Sequence, residues 1–98
     1  MIKYLDKNEK LEELVSNGVY LVDFYADWCG PCKMIGNVLE KLADVNIIKI
    51  NTDLFQELAI KCGVMSIPTL IFFKNGVEVK KEIGFKTEEE IRRIVSEI

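Results

Sequence analysis

Hydrophobic residues along the chain follow two patterns, and these patterns divide the sequence into elements. Segments in which apolar residues recur every three or four positions predict amphipathic helices. Short runs rich in β-branched and aromatic residues, bounded by turn residues, predict buried strands. The predicted helices cover 6–18, 30–43, 53–63 and 87–98, and the predicted strands cover 19–26, 46–50, 69–74 and 77–84, with room for a short opening strand at 2–5.

Capping and turn residues mark where these elements begin and end. Asp6 and Thr87 each stand three residues before a glutamate, which is the spacing of a capping box at a helix start. Asn75–Gly76 predicts a tight hairpin turn. The order of elements predicts a single α/β domain over 1–98, in which a mixed sheet of four or five strands has helices on both faces. Crossover helices join its parallel strands, and an antiparallel hairpin follows them.

Composition narrows the classes of function. The 98 residues carry 13 Lys and Arg against 16 Asp and Glu, with no long basic run, so we expect neither a nucleic-acid partner nor a membrane surface. The N-terminal segment lacks the apolar stretch of a signal peptide, and no stretch approaches the roughly 18 apolar residues of a membrane helix. We therefore expect a cytoplasmic location, where thiols are kept reduced.

Two of the three cysteines lie close together in the stretch YADWCGPCKM. Cys29 falls in a turn after a strand, and Cys32 falls in the first turn of the next helix, so the two sulfurs can approach and bond. Gly30 tolerates the backbone that the turn requires, and Pro31 restricts it. A loop that changes little between dithiol and disulfide favours reversible redox chemistry.

The helix start predicts a role for each cysteine. Unpaired N–H groups and a partial positive charge at a helix N-terminus favour thiolate over thiol. We expect Cys29 to be the more exposed sulfur, with the lower pKa, and to attack a substrate disulfide. Cys32 then attacks the mixed disulfide and releases the reduced substrate. Two alternatives are a zinc half-site and two core cysteines three apart by chance. The zinc site lacks ligands, because the chain has no histidine and Cys62 is its only other cysteine.

Two charged residues stand inside apolar strands. A buried carboxyl group has a raised pKa, so Asp23 could accept the proton that Cys32 loses before it attacks. Alternatively, Asp23 faces solvent at an edge of the sheet. Lys49 is either the partner of Asp23 on a neighbouring strand or a side chain that reaches outward to water.

Three further residues, Pro68, Trp28 and Cys62, lie near or follow these motifs and need an interpretation. Pro68 directly precedes a strand, and base rates favour a trans bond, although a cis bond would shape a surface. Trp28 is either a core residue or an aromatic cover and contact surface beside the reactive thiol. Cys62 shares an apolar helix face and is most simply a buried residue without a redox role.

The motifs VDFYADWCGPCKMI and IPTLIFFKNG, followed by Gly84 in EIGF, resemble the thioredoxin family in order and nearly in spacing, over essentially the whole chain. The resemblance implies the thioredoxin fold, a cis bond between Ile67 and Pro68 packed against the cysteine pair, and a buried Asp23 partnered by Lys49. The substrate groove that it implies consists of Trp28, Gly30, Pro31, Ser66, Ile67, Pro68 and Gly84.

The resemblance also implies partners. A disulfide-containing protein would lie extended across the groove and bond to the backbone of Ile67. A thioredoxin reductase would supply electrons to a monomeric protein, and we expect no cofactor and no metal. The predicted function is therefore reduction of protein disulfides. The alternatives are a binding subunit that uses the same surface without redox chemistry, and an oxidase or isomerase of the same fold.

Three departures from the family pattern affect these expectations. Gly36-Asn37 stands where many members have a helix-kinking proline, so the second helix is expected to be straighter or locally looser. Tyr25 replaces the first of the tryptophans common in bacterial members. Cys62 matches a position where some members carry an extra and sometimes regulatory cysteine.

Overall fold

A computed structural model describes all 98 residues as one five-stranded sheet with helices packed on it. The strands lie in the order β1-β3-β2-β4-β5, so the second strand is central. The strands are β1 (Ile2–Tyr4), β2 (Val19–Tyr25), β3 (Ile47–Asn51), β4 (Thr69–Lys74) and β5 (Val77–Ile83), and the helices are α1 (Leu11–Leu14), α2 (Gly30–Leu39), α3 (Gln56–Lys61) and α4 (Glu88–Ser96).

The sheet is mixed, as the sequence predicts. β3 pairs in parallel with both β1 and β2, whereas β4 pairs antiparallel with β2 and with β5. The turn between β4 and β5 contains Asn75 and Gly76, both with positive φ, as a tight hairpin requires. The short opening strand that the sequence allowed is also present as β1, and it brings the sheet to five strands. No helix has the length and apolar character needed to cross a membrane.

Two apolar clusters cover the two faces of the sheet. One cluster packs α2 and α4 on the sheet through buried residues such as Ile35, Leu39 and Ile91. The other packs α1 and α3 on the opposite face, with Phe24 at its centre. Because strand side chains alternate between faces, Asp23 shares the α2 face with Leu21.

The start of α1 corrects the prediction. The helix begins at Leu11 and not after Asp6. The Asp6 carboxylate accepts a hydrogen bond from the Asn8 N–H, and the Glu9 carboxylate accepts one from the Asp6 N–H. These side chains therefore stabilise a turn before the helix, since short polar side chains compete with helical hydrogen bonding.

Two further helices are shorter than predicted. α2 ends at Leu39, and the residues up to Val45 continue as turns that keep Leu42 buried. α3 begins at Gln56, because the carbonyl of Asn51 accepts hydrogen bonds from the next turn and holds it out of the helix. By contrast, α4 begins as predicted, with a complete capping box at Thr87.

Candidate active site

The cysteine turn joins the central strand to the helix that covers it. Cys29 is the N-cap of α2, and its sulfur accepts a hydrogen bond of 3.2 Å from the Cys32 N–H. The two cysteines form a disulfide, with their Cα atoms 5.2 Å apart. Pro31 occupies the first turn of the helix, where its missing N–H removes no hydrogen bond. The predicted difference in exposure is marginal, because Cys29 is 5% exposed and Cys32 is 3% exposed.

The loop before β4 reaches the same disulfide. The bond between Ile67 and Pro68 is cis. The cis bond that the family resemblance implies is therefore confirmed, and the trans bond that base rates favour is wrong. The sulfur of Cys29 lies 3.9 Å from the carbonyl oxygen of Ile67. Two segments that are 38 residues apart in the sequence therefore meet at one sulfur atom.

A groove of about 570 Å³ runs along the Cys29 side of the disulfide. No lining side chain of this groove carries a charge. Among the residues that the sequence assigns to substrate binding, five line it. The lining consists of Trp28, Cys29, Gly30, Pro31, Thr52, Ala59, Val64, Met65, Ser66 and Ile67.

Two other predicted groove residues, Pro68 and Gly84, do not line this cavity. Pro68 is buried and does not line the groove. Gly84 is also outside the lining, and its N–H donates a 2.9 Å hydrogen bond to the carbonyl of Pro68. Pro68 therefore supports the groove from within, whereas Gly84 is half-buried with open space around it and is joined to Pro68 through the backbone.

Trp28 lies on the surface of the molecule. Its side chain is 71% exposed, so the core interpretation is wrong. The indole N–H donates a 3.0 Å hydrogen bond to the carboxylate of Asp53, which fixes the ring beside the groove. Asp53 and the fully exposed Met65 are site residues that the sequence did not indicate, because neither belongs to a motif.

Asp23 lies on the central strand and is completely buried. Neither carboxyl oxygen has a hydrogen-bond partner. Burial raises the pKa of Asp23 to about 7, and the nearby charge of Lys49 opposes that rise. The solvent-facing interpretation is therefore wrong, and the carboxyl group can exchange a proton near neutral pH.

Lys49 lies directly opposite Asp23 on the neighbouring strand. Its ammonium nitrogen is 3.9 Å from a carboxyl oxygen of Asp23, so the two groups form a loose ion pair beyond ordinary hydrogen-bond distance. The side chain is only 13% exposed. The partner interpretation is therefore confirmed, and the interpretation of a lysine that reaches outward is wrong.

A second cavity, the cleft, lies on the Cys32 side of the disulfide and measures about 630 Å³. Its chemistry differs from that of the groove, because four of its lining side chains are acids or lysines. The lining consists of Tyr4, Tyr25, Ala26, Asp27, Cys32, Lys33, Gly36, Asn37, Glu40 and Lys49. Half of these residues belong to the cysteine motif at 22–35, but the sequence assigned only Cys32 and Lys49 to the site.

The three departures from the family pattern have distinct outcomes. α2 continues through Gly36 and Asn37 as one helix. Tyr25 lines the cleft, with its ring 4.8 Å from the ammonium nitrogen of Lys49. Cys62 is a free, half-buried thiol that lines neither the groove nor the cleft, and burial raises its pKa, which reduces its reactivity. No three His, Cys, Asp or Glu side chains come together as a potential metal site.

Comparisons with known proteins agree with this geometry. The family model described as Thioredoxin matches residues 2–97. The thioredoxin of Bacillus subtilis strain 168 is 46% identical over 98% of this chain and 95% of its own length, and that of Staphylococcus saprophyticus is 45% identical over 97% and 94%. The solved structure of a mutant thioredoxin from Halobacterium salinarum NRC-1 superimposes with a TM-score of 0.90, at 36% identity over 98% of this chain and 88% of that one. The chain therefore belongs to the thioredoxin family, with its fold and its thiol-disulfide oxidoreductase activity.

Proposed function

We propose that this oxidoreductase works as a reductant, which opens disulfides in protein substrates by exchange through Cys29 and Cys32. The observation that carries the proposal is the position of the two sulfurs. Cys29 lines an uncharged groove that suits an extended peptide, whereas Cys32 lines the cleft that holds Lys49. In the reduced protein, each sulfur would therefore face the surroundings that its step needs.

In the first step, the Cys29 thiolate attacks one sulfur of the substrate disulfide. A mixed disulfide forms, and the other substrate sulfur leaves as a thiolate. The N–H of Cys32 points at the Cys29 sulfur at 3.2 Å, and the start of α2 adds a partial positive charge. Both features favour the ionised nucleophile.

In the second step, Cys32 loses its proton and attacks the Cys29 sulfur. The bond between Cys29 and the substrate breaks, the substrate leaves as a second thiolate, and the protein disulfide forms. Asp23 accepts the proton through an intervening water, because its pKa of about 7 suits exchange at neutral pH. Lys49, whose nitrogen is 3.9 Å away, stabilises the ionised form of Asp23 that accepts the proton.

The groove binds the substrate segment on either side of its cysteine. Trp28, Gly30 and Pro31 form one wall, and Ser66 and Ile67 form the other. The backbone of Ile67 pairs with the extended segment in the manner of an added strand. Pro68 supports the groove from within, and the hydrogen bond from the Gly84 N–H to its carbonyl holds Gly84 next to it.

The proposed function also concerns the state of the protein, its location and its electron donor. We propose that the chain acts as a single domain over 1–98 and as a monomer in the cytoplasm. A thioredoxin reductase returns the Cys29–Cys32 disulfide to the dithiol after each turnover. The support for these points is the family membership.

The activity test is the reduction of insulin disulfides with dithiothreitol as electron donor. The purified chain should accelerate the precipitation of insulin chains well above the rate with dithiothreitol alone. A Cys29→Ser, Cys32→Ser double variant that fully supports the cellular function would instead favour a redox-independent binding role.

The direction of exchange needs a separate measurement. We expect the oxidised protein to dominate in a glutathione buffer of cytosolic poise, because a reductant has a more negative potential than that buffer. A pair that stays in the dithiol form in such a buffer would make the protein an oxidase or isomerase.

A further inference from the structure

The ammonium group of Lys49 has an aromatic environment that the proposed mechanism does not use. Its nitrogen lies 4.8 Å from the ring centroid of Tyr25 and 5.5 Å from that of Tyr4. The two rings meet edge to face, with their centroids 6.2 Å apart. The strands on either side of β3 therefore contribute one ring each to a single cation, since Tyr4 lies on β1 and Tyr25 on β2.

Helix α2 lies on a third side of the Lys49 ammonium group. A methyl group added to Gly36 would have the ammonium nitrogen of Lys49 as its nearest neighbour, at 3.5 Å. The fourth side is Asp23, at 3.9 Å. We call Tyr4, Tyr25 and Gly36 the lysine cage.

We propose that Tyr4 and Tyr25 are positioning residues for the thiol-disulfide reaction, because their rings hold the ammonium group of Lys49 beside the carboxyl group of Asp23. The consequence for turnover rests on the proposed role of Asp23 as proton acceptor. The cage itself rests only on the approach of Tyr4, Tyr25 and Gly36 to the Lys49 ammonium nitrogen, which lies beside Asp23.

The physical argument is a competition between two positions of the ammonium group. Lys49 lines the cleft, so a rotation of its long side chain would take the charge out to water. The ion pair with Asp23 opposes this movement, although it is too long to be a hydrogen bond. The ring faces add a cation–π attraction that strengthens where the cation is shielded from water.

Besides the two rings, four charged side chains lie near the ammonium group of Lys49. Asp23 is the nearest, and Asp27, Lys33 and Glu40 line the same cleft from α2 and the segments that flank it. Burial raises the pKa of the Tyr25 hydroxyl, so this ring stays neutral through the range in which Asp23 titrates. Substitution of a ring by an aliphatic side chain therefore leaves the formal charges of the cleft unchanged.

Loss of the rings has a defined electrostatic result. Without them the ammonium group moves toward water, and Asp23 loses its closest positive charge. The carboxyl group then keeps its proton to a higher pH, because a nearby cation favours the ionised form. The limit of this effect is the complete removal of the charge in Lys49→Met.

The experiment is an NMR titration of the Asp23 carboxyl carbon in the oxidised protein. It compares the wild type with Tyr25→Leu, Tyr4→Leu and the double variant. Tyr25→Phe and Tyr4→Phe are matched controls, because they keep the ring and remove only the hydroxyl. The same leucine variants are also made in the Lys49→Met background.

The expected midpoint rises from wild type through the single leucine variants to the double variant, and it approaches that of Lys49→Met. The phenylalanine variants keep the wild-type midpoint, and the leucine substitutions have no further effect once Lys49 is gone. Unchanged midpoints in the leucine variants would overturn the proposal. Equal shifts with and without Lys49 would also overturn it, since the rings would then act only by excluding water.

A kinetic measurement separates this inference from the proposed function. Stopped-flow decay of the mixed disulfide gives the pH profile of the second step in each variant. Profiles that follow the measured Asp23 midpoints support both ideas. Midpoints that move while the profiles stay fixed would retain the cage and remove Asp23 from the role of proton acceptor.

Discussion

The groove and the cleft lie on opposite sides of one disulfide and have opposite chemistry. The groove exposes Cys29 among side chains that carry no charge. The cleft exposes Cys32 among two acids and two lysines, with Lys49 next to the buried Asp23. Two nearly equally buried sulfurs therefore differ in their neighbours far more than in their exposure.

In the proposed mechanism, this difference places the two halves of the reaction on two surfaces. Binding of an extended peptide gains from apolar contact and from backbone pairing, which an uncharged groove offers. Removal of a thiol proton needs a base with a suitable pKa, which the cleft side offers. The proposed arrangement keeps the base away from the peptide, so we expect that the substrate side chains do not control its acidity.

The largest expected effect separates the two sulfurs. Cys29→Ser should lose all insulin reduction, because no other thiol lines the groove. Cys32→Ser should still attack but should accumulate a stable mixed disulfide, which mass spectrometry of the intact protein detects. Cys62→Ser is the matched control and should keep wild-type activity, since that thiol lines neither cavity. A mixed disulfide trapped through Cys32 in the Cys29→Ser variant would reverse the assignment.

The next largest effect is the loss of stability at higher pH that the buried carboxyl group of Asp23 causes. The folded protein holds a proton on Asp23 up to pH about 7, whereas the unfolded chain releases it near 3.8, so the free energy of unfolding falls as pH rises through this window. Asp23→Asn removes that fall and should stabilise the oxidised protein at pH 8 by on the order of 4 kcal/mol.

Urea unfolding of wild type and variant from pH 4 to pH 8 measures this difference. Other carboxyl groups contribute equally to both proteins and cancel in the comparison. Asp27→Asn, at an exposed position of the same cleft, should change the pH dependence little. A constant difference between Asp23→Asn and wild type over the whole range would show that Asp23 ionises normally in the folded protein.

A smaller effect is expected from a charge in the groove. Met65 is 96% exposed in the groove lining, where it is available to cover an apolar substrate side chain. Met65→Glu should lower kcat/KM about tenfold, or ~1.4 kcal/mol, for a disulfide peptide with a leucine beside its cysteine. It should lower kcat/KM much less when a lysine replaces that leucine.

The control for this prediction is Ile60→Glu, which adds the same charge at a 76% exposed position outside the groove. Equal losses in both variants would mean that the added charge acts at long range and that Met65 does not contact the substrate.

The last prediction concerns the stability of the fold and two of its glycines. Gly36 lines the cleft inside α2, where an added methyl group meets only the Lys49 nitrogen at ordinary contact distance. Gly36→Ala should raise the free energy of unfolding by about 0.5–1 kcal/mol. Gly84 has a φ of +90°, so Gly84→Ala should lower it by about 1–2 kcal/mol, although the space around it is open. Urea unfolding at pH 7 measures both changes, and a shift of the same sign in the two variants would contradict one of these two expectations.

The strands and the last helix were predictable because their signals are local. A buried strand such as 69–74 needs a run of apolar residues, and the capping box at Thr87 needs only residues within one helical turn. The bounds of α1 and α3 were not predictable, because Asp6 and Asn51 direct nearby hydrogen bonds into turns that a helix would otherwise use. Periodicity does not register that competition.

The features of the site also divide into those with a local signal in the sequence and those that depend on distant contacts. The amino-acid sequence by itself determined the redox pair, its turn at a helix start and an acid within an apolar strand, because chain neighbours and periodicity suffice for each. Only the tertiary structure decided that Lys49 faces Asp23, that Ile67 reaches the sulfur of Cys29, and that each sulfur lines a different cavity. Strand order and the packing of a helix across the sheet create those contacts, and they depend on residues far apart in the chain.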